Sequence, residues 1–184
     1  MKLLFNLLLL FCFFFATAQN SLAQNLQQQL ITDWERAKAY TREYLDVVPA
    51  DKYNFRPTDS VRTFAEQMLH FARANAGLTF IATGIQSKNS GFFMRDIEKS
   101  ASAQSKDSVI YYVNASYDAA INAIKNMDTA KLTEVVSWDL PGGKRSATRL
   151  AWLLKAFEHQ THHRGQCTVY IRLLGIRPPA EKLF

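Results

Sequence analysis

Three of the chain's four histidines, His159, His162 and His163, crowd into one short run near its end. On a helix, His159 and His163 at i and i+4 lie about 40° apart around the axis and roughly 6 Å along it. Two imidazoles so placed can reach a single divalent ion from one face, as in other helical His-x-x-x-His sites. His162 is about 100° round from His163, so those two cannot easily share an ion. Such a pair also arises by chance in helices, and it does not reveal what an ion there would act upon.

The surrounding residues bear on that choice. Trp152, Ala156, His159, His163, Gln166, Tyr170 and Leu174 recur at three- and four-residue steps and form one stripe. Leu150, Leu153, Leu154, Phe157, Val169, Ile171 and Leu173 make most of the remaining girth apolar. A helix of this kind is mostly buried, so the two histidines face an interior cleft and need partners for both ring nitrogens. Cys167, one turn after His163, is either a thiolate ligand or a small core residue, and packing is the commoner role.

His70 is the one histidine outside this run. Alone it reads as a satisfied core histidine beside apolar stripes, yet it is also the third imidazole that an open metal site needs. Glu66 precedes it by one turn and is a candidate general base, a candidate acceptor that orients His70, or a solvated surface carboxylate. Ala74 and Gly77 follow on the same side and leave room for a close helix or a ligand.

The elements that must carry these residues are helical. Leu26, Leu30, Trp34, Ala37, Tyr44 and Val48 predict an amphipathic first helix over residues 24–48, ended by Pro49. An extended connector follows, with Tyr53 and Phe55 tucked against the bundle. A second helix begins near Ser60 and carries His70, and a third spans about 106–127. Residues 84–105 read as a long connection in which Phe92-Phe93-Met94 is either a flap over a cleft or a plug on the core. Val135, Val136, Trp138 and Leu140 before Pro141-Gly142-Gly143 change the period and suggest a small β-hairpin. The last helix runs from about 146 to 174 and stops at Gly175 and Pro178-Pro179. The expected fold class is all-α, a four-helix bundle with a short hairpin before the last helix, and bundles place metals between facing helices.

Residues 1–23 stand apart. Lys2 precedes an apolar run over residues 3–15, and Ala16-Thr17-Ala18 and Ser21-Leu22-Ala23 each offer a small-x-small cleavage site. This reads as a secretory signal peptide cut after Ala18 or Ala23, too short for a stable membrane span. The mature domain is then 24–184, exported to the periplasm or secreted. Cleavage removes Cys12 and leaves Cys167 alone, so no intramolecular disulfide forms and packing must hold the domain together. The net charge of +6 is scattered, with no basic face interleaved with aromatics, so nucleic acid is not an expected partner.

A family resemblance rests on two stretches: Val-Arg-Thr-Phe-Ala-Glu-Gln-Met-Leu-His at 61–70, and His-Gln-Thr-His-His-Arg-Gly-Gln at 159–166 with Tyr-Ile-Arg-Leu-Leu-Gly-Ile-Arg-Pro-Pro at 170–179. In this order they resemble the DinB/YfiT-like family of metal-dependent enzymes, over essentially the whole mature chain. The resemblance implies a four-helix bundle, often a homodimer, with His70, His159 and His163 as ligands of a divalent ion and His162 as a neighbour. Family members include thiol-dependent S-transferases and isomerases, and a hydrolase. Such thiols are cytosolic, so the signal peptide departs from that pattern.

Three neutral imidazoles leave a divalent ion its full charge and open positions. An ion so held can bring the pKa of water towards about 7 or activate a thiol. Zn or Ni suits imidazole. Arg164 and Gln166 are candidates to position a substrate anion, or else pair at a helix contact, and Gly165 permits close helix approach. The expected function is metal-dependent hydrolysis or group transfer on a small molecule, with Glu66 as the catalytic base. The alternatives are a non-catalytic metal-binding protein, a thiol-dependent S-transferase if the chain stays in the cytosol, and a bundle with core histidines alone.

Overall fold

The computed structural model describes residues 2–86 and 97–184, with side chains from residue 21 onward. Its frame is four helices, α1 (Lys2–Val47), α2 (Phe64–Thr83), α3 (Lys106–Asn126) and α4 (Arg149–Leu173). An antiparallel hairpin, β1 (Val135–Leu140) and β2 (Gly143–Thr148), precedes α4. The all-α bundle with a short hairpin is therefore the observed architecture. Helix α2 packs on both α3 and α4, while α1 packs chiefly on α3. The α2–α4 seam is where residues of the second and last helices meet.

The starts of α2 and α4 are set by backbone chemistry that hydrophobic periodicity does not report. Helix α2 begins at Phe64 rather than near Ser60, because Thr63 caps it. The Thr63 hydroxyl accepts from the Glu66 amide, and the Glu66 carboxylate accepts from the Thr63 amide. Two further amides of this first turn are taken by the connector: Phe64 N–H donates to Phe55 O and Ala65 N–H to Tyr53 O. This satisfies donors that a helix start otherwise leaves bare, and it is why Tyr53 is tucked in. Its hydroxyl donates to Leu45 O at 2.7 Å.

Helix α4 starts at Arg149, three residues later than the apolar pattern suggests, because 143–148 are paired as β2. Thr148 caps it through the Ala151 amide, and the Arg149 and Leu150 amides donate to Glu134 O and Leu132 O. Pro141 and Gly142 close the hairpin, with Gly142 at φ 90°. A type II turn requires a residue of positive φ at its third position, and proline is favoured just before it.

The core lies where all four helices converge. Trp34 is fully buried, its ring edge-on to Tyr117 at 5.8 Å and Phe157 at 5.6 Å. Leu45, Phe64, Met68, Phe71, Ile124 and Leu153 are also fully buried. Removing each such large side chain from water contributes about 1.5–3 kcal/mol against the ordering entropy. Cys167 belongs to this core, and burial pushes its thiol pKa up. Among the described residues no helix is long and apolar enough to cross a membrane. The Phe92-Phe93-Met94 segment lies outside the described residues.

Candidate metal centre

Packing of α2 on α4 brings His70 against the His159–His163 pair. One ring nitrogen from each of the three lies within 4.8 Å of the others. The Nε2 atoms of His159 and His163 are 3.1 Å apart. Two imidazoles bound to one ion at about 2.0–2.1 Å would place their nitrogens roughly 2.9–3.4 Å apart, depending on a near-octahedral or near-tetrahedral angle. The observed pair falls inside that range, and the His70 ring completes the group with its centroid 4.6 Å from that of His163. The donor set could hold a metal ion.

Electrostatics favour the form of imidazole that binds metal. Burial, followed by the adjacent His70 and His162, pulls His159 down to about 4. Burial, followed by His159 and His70, pulls His163 down to about 3. Each is therefore neutral near pH 7, with a lone pair free for coordination.

Outer partners orient two of the rings. His70 Nδ1 lies 2.7 Å from Glu98 Oε1, which turns Nε2 inward. Glu98 also accepts from Arg62 at 3.2 Å. Burial alone would raise the Glu98 carboxyl, but the His70 hydrogen bond and the Arg62 guanidinium outweigh it and hold the pKa below the usual value. His163 Nδ1 is 2.8 Å from the Gln67 amide and 3.1 Å from Gln166 Oε1. Gln67 and Gln166 also bond to each other. A metal-binding histidine characteristically gives its second nitrogen to such a partner. His159 Nδ1 is buried and meets no partner among the described residues.

Several expectations for individual residues change here. The acceptor on His70 is Glu98, not Glu66, whose Oε2 is occupied by the capping box at α2's start. Arg164 does not join the imidazoles. It is buried towards α1 and bonded to Gln160 and Thr41. A side chain at Gly165 or Gly77 would meet open space, so neither glycine serves a close helix contact. Trp152 packs under the hairpin and donates to Val136 O instead of reaching the site. His162 is exposed and bonded to the Gln166 amide. Glu98 and Gln67 were not foreseen. Gln67 stands three residues before His70, a legible helical neighbour, whereas Glu98 lies in a connector with no periodicity to mark it.

A cleft of about 680 Å³ lies behind the imidazoles, on the side of their outer partners, and none of the three histidines lines it. Gln67, Gln166 and Glu98 line it while touching the imidazoles, and Arg62, Glu66 and Tyr170 complete the near wall. The Tyr170 hydroxyl donates to Arg62 O at 2.8 Å and ties this wall across α4 and the start of α2. The cleft therefore has cationic, acidic and aromatic groups and is joined to the imidazoles through Glu98, Gln67 and Gln166.

The model of the DinB family matches residues 19–183. The chain belongs to the DinB family. The DinB fold recurs in a DinB-like protein from Bacillus cereus ATCC 10987, with TM-score 0.69 and 19% identity over 84% of this chain and 97% of that one. The DinB-like protein YjoA of Bacillus subtilis aligns with TM-score 0.57 and 17% identity, covering 85% of this chain and 96% of its own. A conserved protein from Enterococcus faecalis aligns with TM-score 0.58 and 17% identity, covering 79% and 95%. At these identities the likeness extends to the DinB fold alone. No curated protein matches the chain.

Proposed function

We propose that this DinB-family chain is an exported metal-dependent enzyme acting on a small molecule by hydrolysis or group transfer. His70, His159 and His163 would hold the ion. The observation that carries the reading is the convergence of three imidazole nitrogens within 4.8 Å. A divalent ion there would supply Lewis acidity and ease deprotonation of water or a thiol.

The chain's own groups then have separate tasks. Glu98 and Gln166 Oε1 accept from Nδ1–H of His70 and His163 and so fix ring orientation and the tautomers that leave Nε2 free, while Gln67 Nε2, itself a donor, holds Gln166 Oε1 in place. Arg62, at the rim, attracts and orients an anionic portion of the substrate. Glu66 lines the cleft and is the candidate base, although its cap bond holds one oxygen. Val61, Val169 and Tyr170 give part of the wall apolar surface. Export, by residues 1–23, would place this chemistry outside the cytosol and away from cytosolic thiols, which favours hydrolysis over thiol transfer. A homodimer is the assembly suggested by family resemblance, and no nucleic-acid partner is proposed.

The test combines metal content with turnover. Protein purified without chelator should carry about one Zn or Ni per chain, and cobalt-substituted protein should change its visible spectrum when azide or imidazole is added. Hydrolysis of an ester, amide or phosphoester panel should then depend on the metal and fall in Glu66→Gln. A bound metal whose cobalt spectrum ignores added ligands, with no turnover on the panel, would favour a non-catalytic holder. Absence of metal altogether would reduce the three histidines to a core cluster. Intact Met1 in the cytosolic fraction would restore the thiol-transferase reading.

A further inference from the structure

A second cleft, of about 440 Å³, opens towards α1, bounded by that helix, α4 and the C-terminal tail. Three guanidinium groups line it, Arg164, Arg172 and Arg177, against one carboxylate, Glu181. Arg164 is only 5% exposed. Its Nη1 donates to Gln160 Oε1 at 2.8 Å and approaches Thr41 Oγ1 at 3.3 Å, and its guanidinium lies 4.7 Å from the centre of the Tyr40 ring. All of these partners are neutral. No described carboxylate lies within 4 Å of Arg164, Arg172 or Arg177, and Glu181 pairs with none of them. A buried cation without an anion is costly, and buried charges are ordinarily paired. The cation–π contact with Tyr40 and the two neutral hydrogen bonds offset only part of that cost.

Hydroxyl groups extend the lining. Tyr40 and Tyr44 hydroxyls are 3.3 Å apart, and the Tyr44 hydroxyl is 2.9 Å from Thr168 Oγ1. These groups can donate to an oxyanion, and arginine presents a planar fork matched to carboxylate or phosphate. We infer that this cleft is a binding site for a small molecule bearing an oxyanion, seated on Arg164 and closed in by Arg172 and Arg177. The site faces α1, separate from the imidazoles, and stands whether or not the metal chemistry above is right. The tail forms its outer wall and is anchored there by Arg36 donating to Lys182 O and by the Lys182–Glu43 ion pair. Shared chemistry makes a carboxylate and a phosphate equal candidates.

The experiment is a titration of the mature protein with inorganic phosphate, and separately with succinate, followed by calorimetry at ionic strength held constant with chloride. Saturable binding of at least one of the two is expected, with or without chelator, and equally in His159→Ala. Whichever anion binds more tightly identifies the oxyanion class. Arg172 and Arg177 are exposed, so the Arg172→Ala/Arg177→Ala double variant should fold. Its binding should weaken about tenfold or more, the loss expected on removing charge-assisted contacts. Arg164→Lys keeps the charge but loses the fork and should also weaken binding. No saturable binding of either anion would overturn the proposal, as would unchanged affinity in the double variant. Binding abolished by His159→Ala would place the anion at the histidines and equally remove this site.

Discussion

At the residue scale, the centre depends on which nitrogens converge and on what holds their far sides. His70→Ala, His159→Ala and His163→Ala should each lower metal occupancy at least tenfold, read by elemental analysis after gel filtration, whereas His162→Ala should retain it. Equal loss from His162→Ala with none from His163→Ala would reverse the assignment. Glu98→Gln removes the charge that orients His70 through a 2.7 Å contact. Losing a partner of this kind typically weakens metal binding about 10–100-fold, measurable by competition with a chromophoric chelator. An unchanged affinity would leave Glu98 a mere ion-pair partner of Arg62. Glu66 needs a subtler probe because it serves the helix as well. Glutamine can fill the same place in a capping box, so Glu66→Gln separates the carboxylate's chemistry from its structural task.

Buried tyrosines give the molecule an alkaline limit. Burial raises Tyr117 to about 12, and burial with the Tyr44 hydrogen bond raises Tyr40 to about 12, from the usual 10.0. Between those values the unfolded chain has released protons that the folded chain retains. Stability on this account is complete below about pH 10 and falls as pH rises towards 12. Denaturant midpoints should decline over that window, and absorbance near 295 nm should show a late-titrating class of tyrosines. The decline should be smaller in Tyr117→Phe, which cannot ionise. A decline of the same size in that variant would place the alkaline sensitivity elsewhere.

At the element scale, the α2 start is the most exposed point of failure for the site. Thr63→Ala removes the hydroxyl that accepts from the Glu66 amide and should cost about 1 kcal/mol. The loss should appear as a lower denaturant midpoint with the slope unchanged. His70 sits less than two turns downstream, and Arg62 at the cap also holds Glu98. The same substitution should therefore weaken metal binding, whereas a substitution of similar cost at the far end of α3 should not.

On the scale of the whole molecule, two helices contribute the imidazoles, so an ion would staple α2 to α4. A ligand at about a hundred times its dissociation constant stabilises by about 2.7 kcal/mol, and for a domain of this size that raises Tm by roughly 5–10 °C. Chelator should reverse the shift, and in His163→Ala metal should produce none. The proposed export gives a separate expectation. The mature N-terminus in the native host should be Gln19 or Gln24 by mass spectrometry. Protein beginning at Gln24 should retain the full-length Tm, because the fully buried part of α1 lies beyond it, from Leu30 onward.

The number and order of long helices, the hairpin and the His159–His163 pair were legible in the chain because each is a local matter, whereas His70 was tied to that pair only by the family resemblance and meets it through packing. Period and turn chemistry are written in neighbouring residues, and an i, i+4 pair of histidines shares a face in any helix. Helix starts were less legible: Thr63 and Thr148 act through hydrogen bonds to amides and leave no trace in the apolar period. The partners of the site residues belong to tertiary structure. Glu98 reaches His70 across 28 positions and Gln67 reaches His163 across 96, and nothing in spacing encodes such meetings. Arg164 makes the same point in reverse. One position from His163 in sequence, it is turned by the helix towards α1, where packing buries its charge in a different cleft.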